Sequence, residues 1–265
     1  MAKVKLNLFN TRGLQDHSVY QMTGCKHLII RKKGGASKNI IKESPNFATV
    51  RMNNEEFTAA SKASARLKQA MFPIKHLTKV SASGQITAFC LRILKMDQTN
   101  NMGERSVLFS HYPGILTGFN VNKEIAFDSI FNNQVSCILN RKEGSVIISI
   151  PNLIPNMNLT IPWDYPLYRL IMSIGIVPNI IKQNNIYDAQ SPEIKYFPES
   201  IITNWQNSKQ MRNEESFVLQ SPPGTLIDPS CSLIVSVGIE MGVFISETMM
   251  KAIPGIGAAK ILVHG

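Results

Sequence analysis

The sequence predicts an α+β fold that is mostly β: an N-terminal β-hairpin and a helical hairpin, followed by one large or two small antiparallel β-sandwich units. Apolar residues alternate near the N-terminus, recur at helical spacing between residues 53 and 95, and then form short runs between Pro, Gly and Asn. We therefore expect a basic β-hairpin and two-helix region over residues 1–98. A β-sandwich region then spans residues 99–265, divided near residue 180 if there are two units.

The first elements are strands. Apolar and polar residues alternate from Val4 to Leu8, which is typical of a strand, and TRGLQD (11–16) is typical of a turn. SVYQM (18–22) and CKHLIIRKK (25–33) then flank a Thr-Gly pair, which predicts a β-hairpin.

Two helices follow. Asn53 or Asn54 can cap the first, and Pro73 ends it because proline disrupts a helix interior. Its predicted buried face contains Phe57, Ala60, Ala63, Leu67, Ala70 and Met71. The second helix is expected from Ser83 to about Lys95, so the two could pack as a hairpin.

Short β-type runs fill the rest of the chain. VSCILN and SVIISI flank the turn RKEG and predict a hairpin. Further predicted strands are LYRLIMSIGI (167–176), SFVLQ (216–220), SLIVSVGIEMGVF (232–244) and AAKILV (258–263). PGIGAAK (254–260) is interpreted as a turn into the last strand, because five residues after it leave no room for a dinucleotide-binding helix.

Two heptapeptides resemble each other. LIMSIGI (170–176) and LIVSVGI (233–239) match at five of seven positions, with large apolar residues on one face and Ser and Gly on the other. They are either equivalent strands of two related sandwich units or a product of the limited residue set that short strands use.

Composition predicts a globular, cytoplasmic protein. Hydrophobic residues make up 44% and charged residues 17%. No apolar run reaches the roughly 18 residues of a spanning helix, and the N-terminus lacks the apolar segment of a signal peptide. The four cysteines, Cys25, Cys90, Cys137 and Cys231, form no CxxC pair, which favours reduced thiols.

The positive charge is concentrated near the N-terminus. Residues 1–80 hold 15 Lys/Arg and 4 Asp/Glu, a net charge of +11, whereas residues 81–265 have a net charge of −1. This asymmetry predicts an acidic partner, which is a nucleic acid, a membrane surface or an acidic protein, or else is a chance clustering.

The stretch HLIIRKKGGASKNII (27–41) is the centre of this basic segment. Its glycines and lysine do not have the spacing of a phosphate-binding loop, and no helix is predicted after it. The predicted partner- or phosphate-binding residues are Arg31, Lys32, Lys33, Lys38, Lys42 and Arg51. The alternative is that these cations protect a strand edge from aggregation.

No motif predicts catalysis, a metal or a cofactor. GxSxG and HExxH are absent, and Cys25 with His27 would need two more ligands to hold zinc. The densest aromatic cluster is WDYPLYR (163–169), whose Trp163, Tyr165, Tyr168 and Arg169 could stack on a sugar or base. The alternative is that these side chains close one end of the sandwich core.

The order of parts, from TRGLQD, SVYQM and HLIIRKK through NNEEF to YPLYRLIMSIGI, resembles bacterial proteins known as a domain of unknown function. The resemblance implies a compact bacterial protein with a basic N-terminal segment and a β-rich C-terminal part, and it assigns no functional residue.

We expect a non-enzymatic structural or interaction protein that acts through its β-sandwich surfaces. Its basic segment would dock an acidic protein or a self-assembly partner, and the protein could form an oligomer. The alternatives are a nucleic-acid-binding protein that uses the same cations, or a carbohydrate-binding or enzymatic site near Trp163.

Overall fold

The computed structural model describes residues 2–5, 17–22, 26–78, 82–191, 198–221 and 227–265. Strands account for 39% and helices for 25% of the residues, which confirms the predicted α+β, mostly β class. The chain forms two compact units, Met1–Arg51 and Met52–Gly265. The boundaries near residues 98 and 180 stay predictions of the sequence.

The first unit contains a three-stranded antiparallel sheet. Strands β1 (Ala2–Lys5), β2 (His17–Gln21) and β3 (His27–Lys32) lie in the order β1-β3-β2. The β2–β3 pairing confirms the N-terminal hairpin. The predicted turns at TRGLQD and Thr23-Gly24, together with Cys25, lie outside the described residues.

A short helix follows this sheet, contrary to the sequence interpretation. Helix α1 (Lys38–Glu43) begins after Ser37, whose Oγ accepts a hydrogen bond from the Ile40 backbone N–H at 3.4 Å. A serine cap satisfies a backbone donor that would otherwise be unpaired in the first turn, so the poor helix propensity of Asn39 and Ile40 does not prevent the helix.

The other helices are α2 (Ala48–Ala70), α3 (Ser83–Lys95) and α4 (Phe127–Ile130), with a 3-10 turn at Phe72–Leu77. Both predicted helices are present, but α2 begins at Ala48, so the predicted cap at Asn53 or Asn54 was wrong. The predicted burial of Phe57 was also wrong, because its side chain is 56% exposed. The buried stripe of α2 is centred on Glu56, Ala63 and Leu67, and 100° per residue places Phe57 at its edge. No helix in the described part of the chain is both long and apolar enough to cross a membrane.

Among the described residues, ten strands belong to the second unit: β4 (Ser136–Asn140), β5 (Ser145–Ile150), β6 (Leu167–Pro178), β7 (Ile180–Gln183), β8 (Ile186–Ala189), β9 (Glu199–Ile202), β10 (Gln206–Asn207), β11 (Glu215–Gln220), β12 (Cys231–Phe244) and β13 (Met250–His264). The central sheet has the order β10-β6-β12-β13, with β9 also paired to β6. The predicted β4–β5 hairpin is confirmed, and β11 extends it to a second sheet in the order β11-β5-β4.

The two similar heptapeptides are neighbouring strands of the central sheet. LIMSIGI in β6 pairs antiparallel with LIVSVGI in β12, and Ser173 lies opposite Ser236 at the centre. Opposed residues of an antiparallel pair share a face, so the small residues of both segments come together. The two similar segments are therefore neighbouring strands of one sheet and not equivalent strands of two sandwich units.

This small-residue face lies directly against the helical layer. A Cβ added at Gly175 would lie 2.6 Å from the Ala70 carbonyl oxygen, and one added at Gly238 would lie 2.4 Å from Leu77 Cδ1. The C-terminal end of α2 and the 3-10 turn thus approach the strands more closely than a side chain would permit.

The second sheet supplies the other layer of the unit. Val146, Ile148 and Ile150 of β5 are buried whereas Ile147 is exposed, so the sheet has one covered face. Strand β4 contacts β13, and β11 contacts β6 and β9. The predicted turn at PGIGAAK is instead a bulge within β13: Gly257 pairs with Glu240 and Ala252 with Gly242, so the pairing with β12 is interrupted between them, where Gly255 has a φ of 74°. A glycine tolerates this backbone irregularity without ending the strand.

Candidate functional site

The N-terminal basic surface consists of five exposed side chains: Arg31, Lys32, Lys33, Lys38 and Lys42. The first three end β3 and continue beyond it, and the last two lie one helical turn apart on α1. Residues 1–51 contain ten Lys and Arg but two Asp and Glu, a net charge of +8 within a total of +10. The compact first unit therefore carries most of the protein's net charge.

Two of the predicted cations also have local structural contacts. Arg31 Nε donates to Ser18 Oγ at 3.1 Å, and its guanidinium lies 5.6 Å from the Tyr20 ring centroid. Arg51 Nη1 donates to the carbonyls of Ile41 and Ser44, both at 2.8 Å. Because these carbonyls lie at the C-terminal end of α1, Arg51 holds that end in place, and the five exposed cations form the candidate binding surface.

The first unit has little buried apolar material. Among residues 17–22 and 26–51, the part of this unit for which side-chain exposure is described, Ile29 alone is buried, at 7% exposure, whereas Tyr20, Met22 and Ile40 are exposed. Burial of apolar area is the main favourable term in folding, so this unit has a small internal source of stability.

The WDYPLYR segment borders a cavity of about 450 Å³. Among the described residues, its lining includes Pro155, Asn156, Leu159, Ile161, Pro162, Trp163, Asp164, Tyr165, Ser208 and Lys209. The Trp163 and Tyr165 rings thus accompany one carboxylate, one amide, one hydroxyl and one ammonium. Aromatic faces beside such polar groups are suited to a polar ring-shaped ligand.

Tyr168 and Arg169 lie apart from this cavity. Tyr168 is fully buried, and burial raises the pKa of its hydroxyl to about 12. Arg169 Nε donates to Glu240 Oε2 at 2.6 Å, and its guanidinium lies 4.4 Å from the Trp205 ring centroid. Of the four predicted stacking residues, the fold brings Trp163 and Tyr165 together and uses the other two inside the central sheet.

Arg169 belongs to a chain of polar groups that sequence reasoning missed. Glu240, opposite Arg169 in the sheet, is 2% exposed, and its Oε1 lies 2.7 Å from His76 Nε2. Since a carboxylate only accepts hydrogen bonds, the Nε2 atom carries the proton and donates it. A glutamate within the apolar strand SLIVSVGIEMGVF was a usable signal, because a buried charge requires a partner.

The described residues contain no group of three His, Cys, Asp or Glu side chains that could hold a metal ion. Burial raises the pKa of the Cys90 thiol to about 12 and that of Cys137 to about 11. Both thiols are therefore protonated and weakly nucleophilic at neutral pH.

Comparison with known proteins finds no matching family model, curated protein or solved structure. The bacterial family suggested by the order of parts accordingly stays a prediction.

Proposed function

We propose that this chain is a non-enzymatic interaction protein whose N-terminal basic surface docks an acidic protein. The observation that carries the proposal is the net charge of +8 on a compact unit of 51 residues, with five cations exposed along β3 and α1. Like-charged side chains clustered on one small unit attract an acidic surface and increase its rate of association.

The thin core of the first unit supports the same proposal. Tyr20, Met22 and Ile40 offer apolar contacts beside the cations, and an interface needs apolar contacts as well as complementary charge. Docking would bury side chains that the unit leaves exposed. The proposal includes a bacterial, cytoplasmic location, which agrees with the free thiols of Cys90 and Cys137.

The test compares two triple charge reversals. Lys32→Glu/Lys38→Glu/Lys42→Glu removes cations of the basic surface that have no structural role described above. Lys123→Glu/Lys142→Glu/Lys209→Glu changes exposed lysines of the second unit and gives the same net charge. Binding of labelled poly-L-glutamate and of a 20-base-pair DNA duplex is measured by fluorescence anisotropy at several salt concentrations.

We expect poly-L-glutamate to bind the unaltered chain and the control, and to bind the N-terminal variant at least about tenfold more weakly, with an affinity that falls as salt rises. Equal loss in both variants would show that net charge alone matters and would contradict the proposal. Tighter binding of DNA than of poly-L-glutamate, with about 0.9 log units of affinity lost per log of salt for each phosphate contact, would favour the nucleic-acid alternative.

A second candidate function is carbohydrate binding at the Trp163 cavity, which the concave space beside Trp163 and Tyr165 favours. Asp164 is the single carboxylate among the described lining residues, and glycoside hydrolysis ordinarily requires two, so we propose binding rather than cleavage. Titration with mono- and disaccharides should change tryptophan fluorescence in the unaltered chain. Trp163→Ala should abolish the response, whereas Met157→Ala, an exposed substitution outside the described lining, should keep it.

A further inference from the structure

A second cavity, of about 550 Å³, lies within the second unit between the end of α2, the 3-10 turn and the start of α3. Its described lining residues are Ala65, Lys68, Gln69, Met71, Phe72, Lys75, His76, Thr78, Ala82, Ser83, Ile86 and Val121. Ala65, Lys68 and Gln69 share one face of α2 because they are three and four residues apart. The volume falls in the range of small-molecule sites, about 300–1,000 Å³.

The charge of this lining has one sign. Lys68 and Lys75 carry ammonium groups, His76 adds an imidazole, and none of the described lining residues is Asp or Glu. The Lys75 ammonium lies 3.9 Å from the Phe72 ring centroid, so the ring helps to position it. Cationic groups on a partly enclosed wall favour an anionic ligand because water screens them less than on open surface.

Glu240 does not cancel this charge. Its carboxylate is 3% exposed and is shared between Arg169 and His76, which lie 2.6 Å and 2.7 Å from its two oxygens. Arg169 supplies the compensating charge, so Lys68 and Lys75 keep theirs for the cavity. The contact from Nε2 also fixes the half-exposed His76 ring at the cavity wall.

Most of the remaining wall is apolar, and Gln69, Thr78 and Ser83 add neutral polar groups to it. Met71 and Ile86 are buried, Val121 is buried beside them, and the exposed Phe72 ring adds apolar surface. Because Met71, Ile86 and Val121 have little area in contact with water, the Phe72 ring is the main apolar surface among these that a ligand could cover. A ligand that satisfied the lysines alone would leave this ring in water, whereas an apolar body would cover it and gain about 25 cal/mol for each Å² removed from water.

We propose that this cavity binds a small amphipathic anion, a carboxylate with an alkyl or aryl body, with the carboxylate at Lys68 and Lys75 and the body against Phe72 and Ile86. The site uses none of the residues of the N-terminal basic surface and is independent of the proposed docking function.

The test is isothermal titration calorimetry of the full chain with octanoate below its micelle concentration, compared with octanol, octylamine and inorganic phosphate. Lys68→Met/Lys75→Met removes both ammonium groups but keeps apolar stems. Lys142→Met/Lys209→Met changes two exposed lysines outside the described lining and has the same net charge. Ala65→Trp keeps the lysines and fills space from an exposed position of α2.

Octanoate should bind the unaltered chain and the control with equal affinity. It should bind the Lys68→Met/Lys75→Met and Ala65→Trp variants at least about tenfold more weakly. The three other compounds should bind at least about tenfold more weakly than octanoate. The proposal is overturned if octanoate fails to bind at millimolar concentration, if the variants bind it normally, or if octylamine or phosphate binds as well. Circular dichroism of each variant separates lost binding from lost folding.

Discussion

Two buried ionisable side chains, Glu240 and His264, are accommodated in opposite ways. Glu240 has a partner for each oxygen, in Arg169 and His76. His264 is 2% exposed, and both of its ring nitrogens lack a hydrogen-bond partner among the described residues. Burial lowers the pKa of His264 to about 4, because a charged imidazolium is disfavoured away from water. Glu240 can therefore be buried because Arg169 and His76 are its partners, whereas His264 can be buried because its ring is neutral.

Glu240→Gln should lower the free energy of unfolding by about 2–3 kcal/mol, since it leaves Arg169 without its compensating charge and replaces one acceptor oxygen by a donor. This figure is below that for a fully buried pair because the Arg169 and His76 side chains are partly exposed, at 26% and 46%. Urea unfolding at pH 7 measures it. Glu143→Gln, on an exposed turn, is the control, and an effect of equal size there would refute the assignment.

The pKa of His264 predicts a loss of stability in mild acid. Below a pH of about 6.5 the unfolded chain binds a proton that the folded chain does not, so the free energy of unfolding falls until the pH nears 4. From pH 7 to pH 5 this contribution is about 2 kcal/mol. His264→Phe should remove it, whatever that substitution does to stability at pH 7, whereas the exposed His111→Gln should not. A pH dependence that His264→Phe leaves unaltered would contradict the prediction.

Among the elements, the contact between α2 and the central sheet depends most on small side chains. Gly175 lies against Ala70, and both Gly238 and Gly257 lie against Leu77. The strands β6 and β12 are buried on both faces, because the helical layer contacts one face and the large apolar residues of the other face pack within the hydrophobic cluster. The small residues therefore set how closely the helical layer approaches the sheet.

Gly175→Ala should lower the free energy of unfolding by about 1–3 kcal/mol, because the new Cβ would meet backbone atoms of Ala70 that cannot rotate away. Gly84→Ala is the matched control. A Cβ added at Gly84 would have no atom within 4 Å, and Gly84 lies in the first turn of α3. The substitution should therefore be neutral or should raise the free energy of unfolding by up to about 1 kcal/mol. Urea unfolding of both variants is the measurement, and a neutral Gly175→Ala would show that the layers can separate at little cost.

For the whole molecule, charge and apolar burial are divided between the two units. The first unit holds most of the net charge. The main hydrophobic cluster of the described residues extends from Ala59 to Leu262 and contains none from the first unit. Stability therefore comes chiefly from the second unit, and the proposed docking function belongs to the first.

Residues 45–265 should accordingly fold without residues 1–44. This fragment begins at Pro45, before α2, and keeps that helix and the whole cluster. We expect a cooperative thermal transition by circular dichroism within about 5 °C of the full chain, because a shift of that size corresponds to about 1–2 kcal/mol for a chain of this length. A fragment without a cooperative transition would show that the second unit needs the first. The fragment should also lose poly-L-glutamate binding.

The sequence by itself determined the features that depend on neighbouring residues. Helix α3 begins and ends at the predicted Ser83 and Lys95, and β4 and β5 form the predicted hairpin. Periodicity and turn residues act over a few positions, so one sequence suffices to predict them. The concentration of charge near the N-terminus is equally legible from sequence.

Only the tertiary structure decided what depends on contacts between distant segments. It paired the two similar heptapeptides with each other, exposed Phe57 at the edge of the buried stripe, and joined His76 to Glu240 across 164 positions of the chain. It also separated Tyr168 and Arg169 from Trp163, although WDYPLYR is a single short segment. The packing of the whole unit decides which strands are neighbours and which face of a helix is buried. No local pattern of residues specifies either of them.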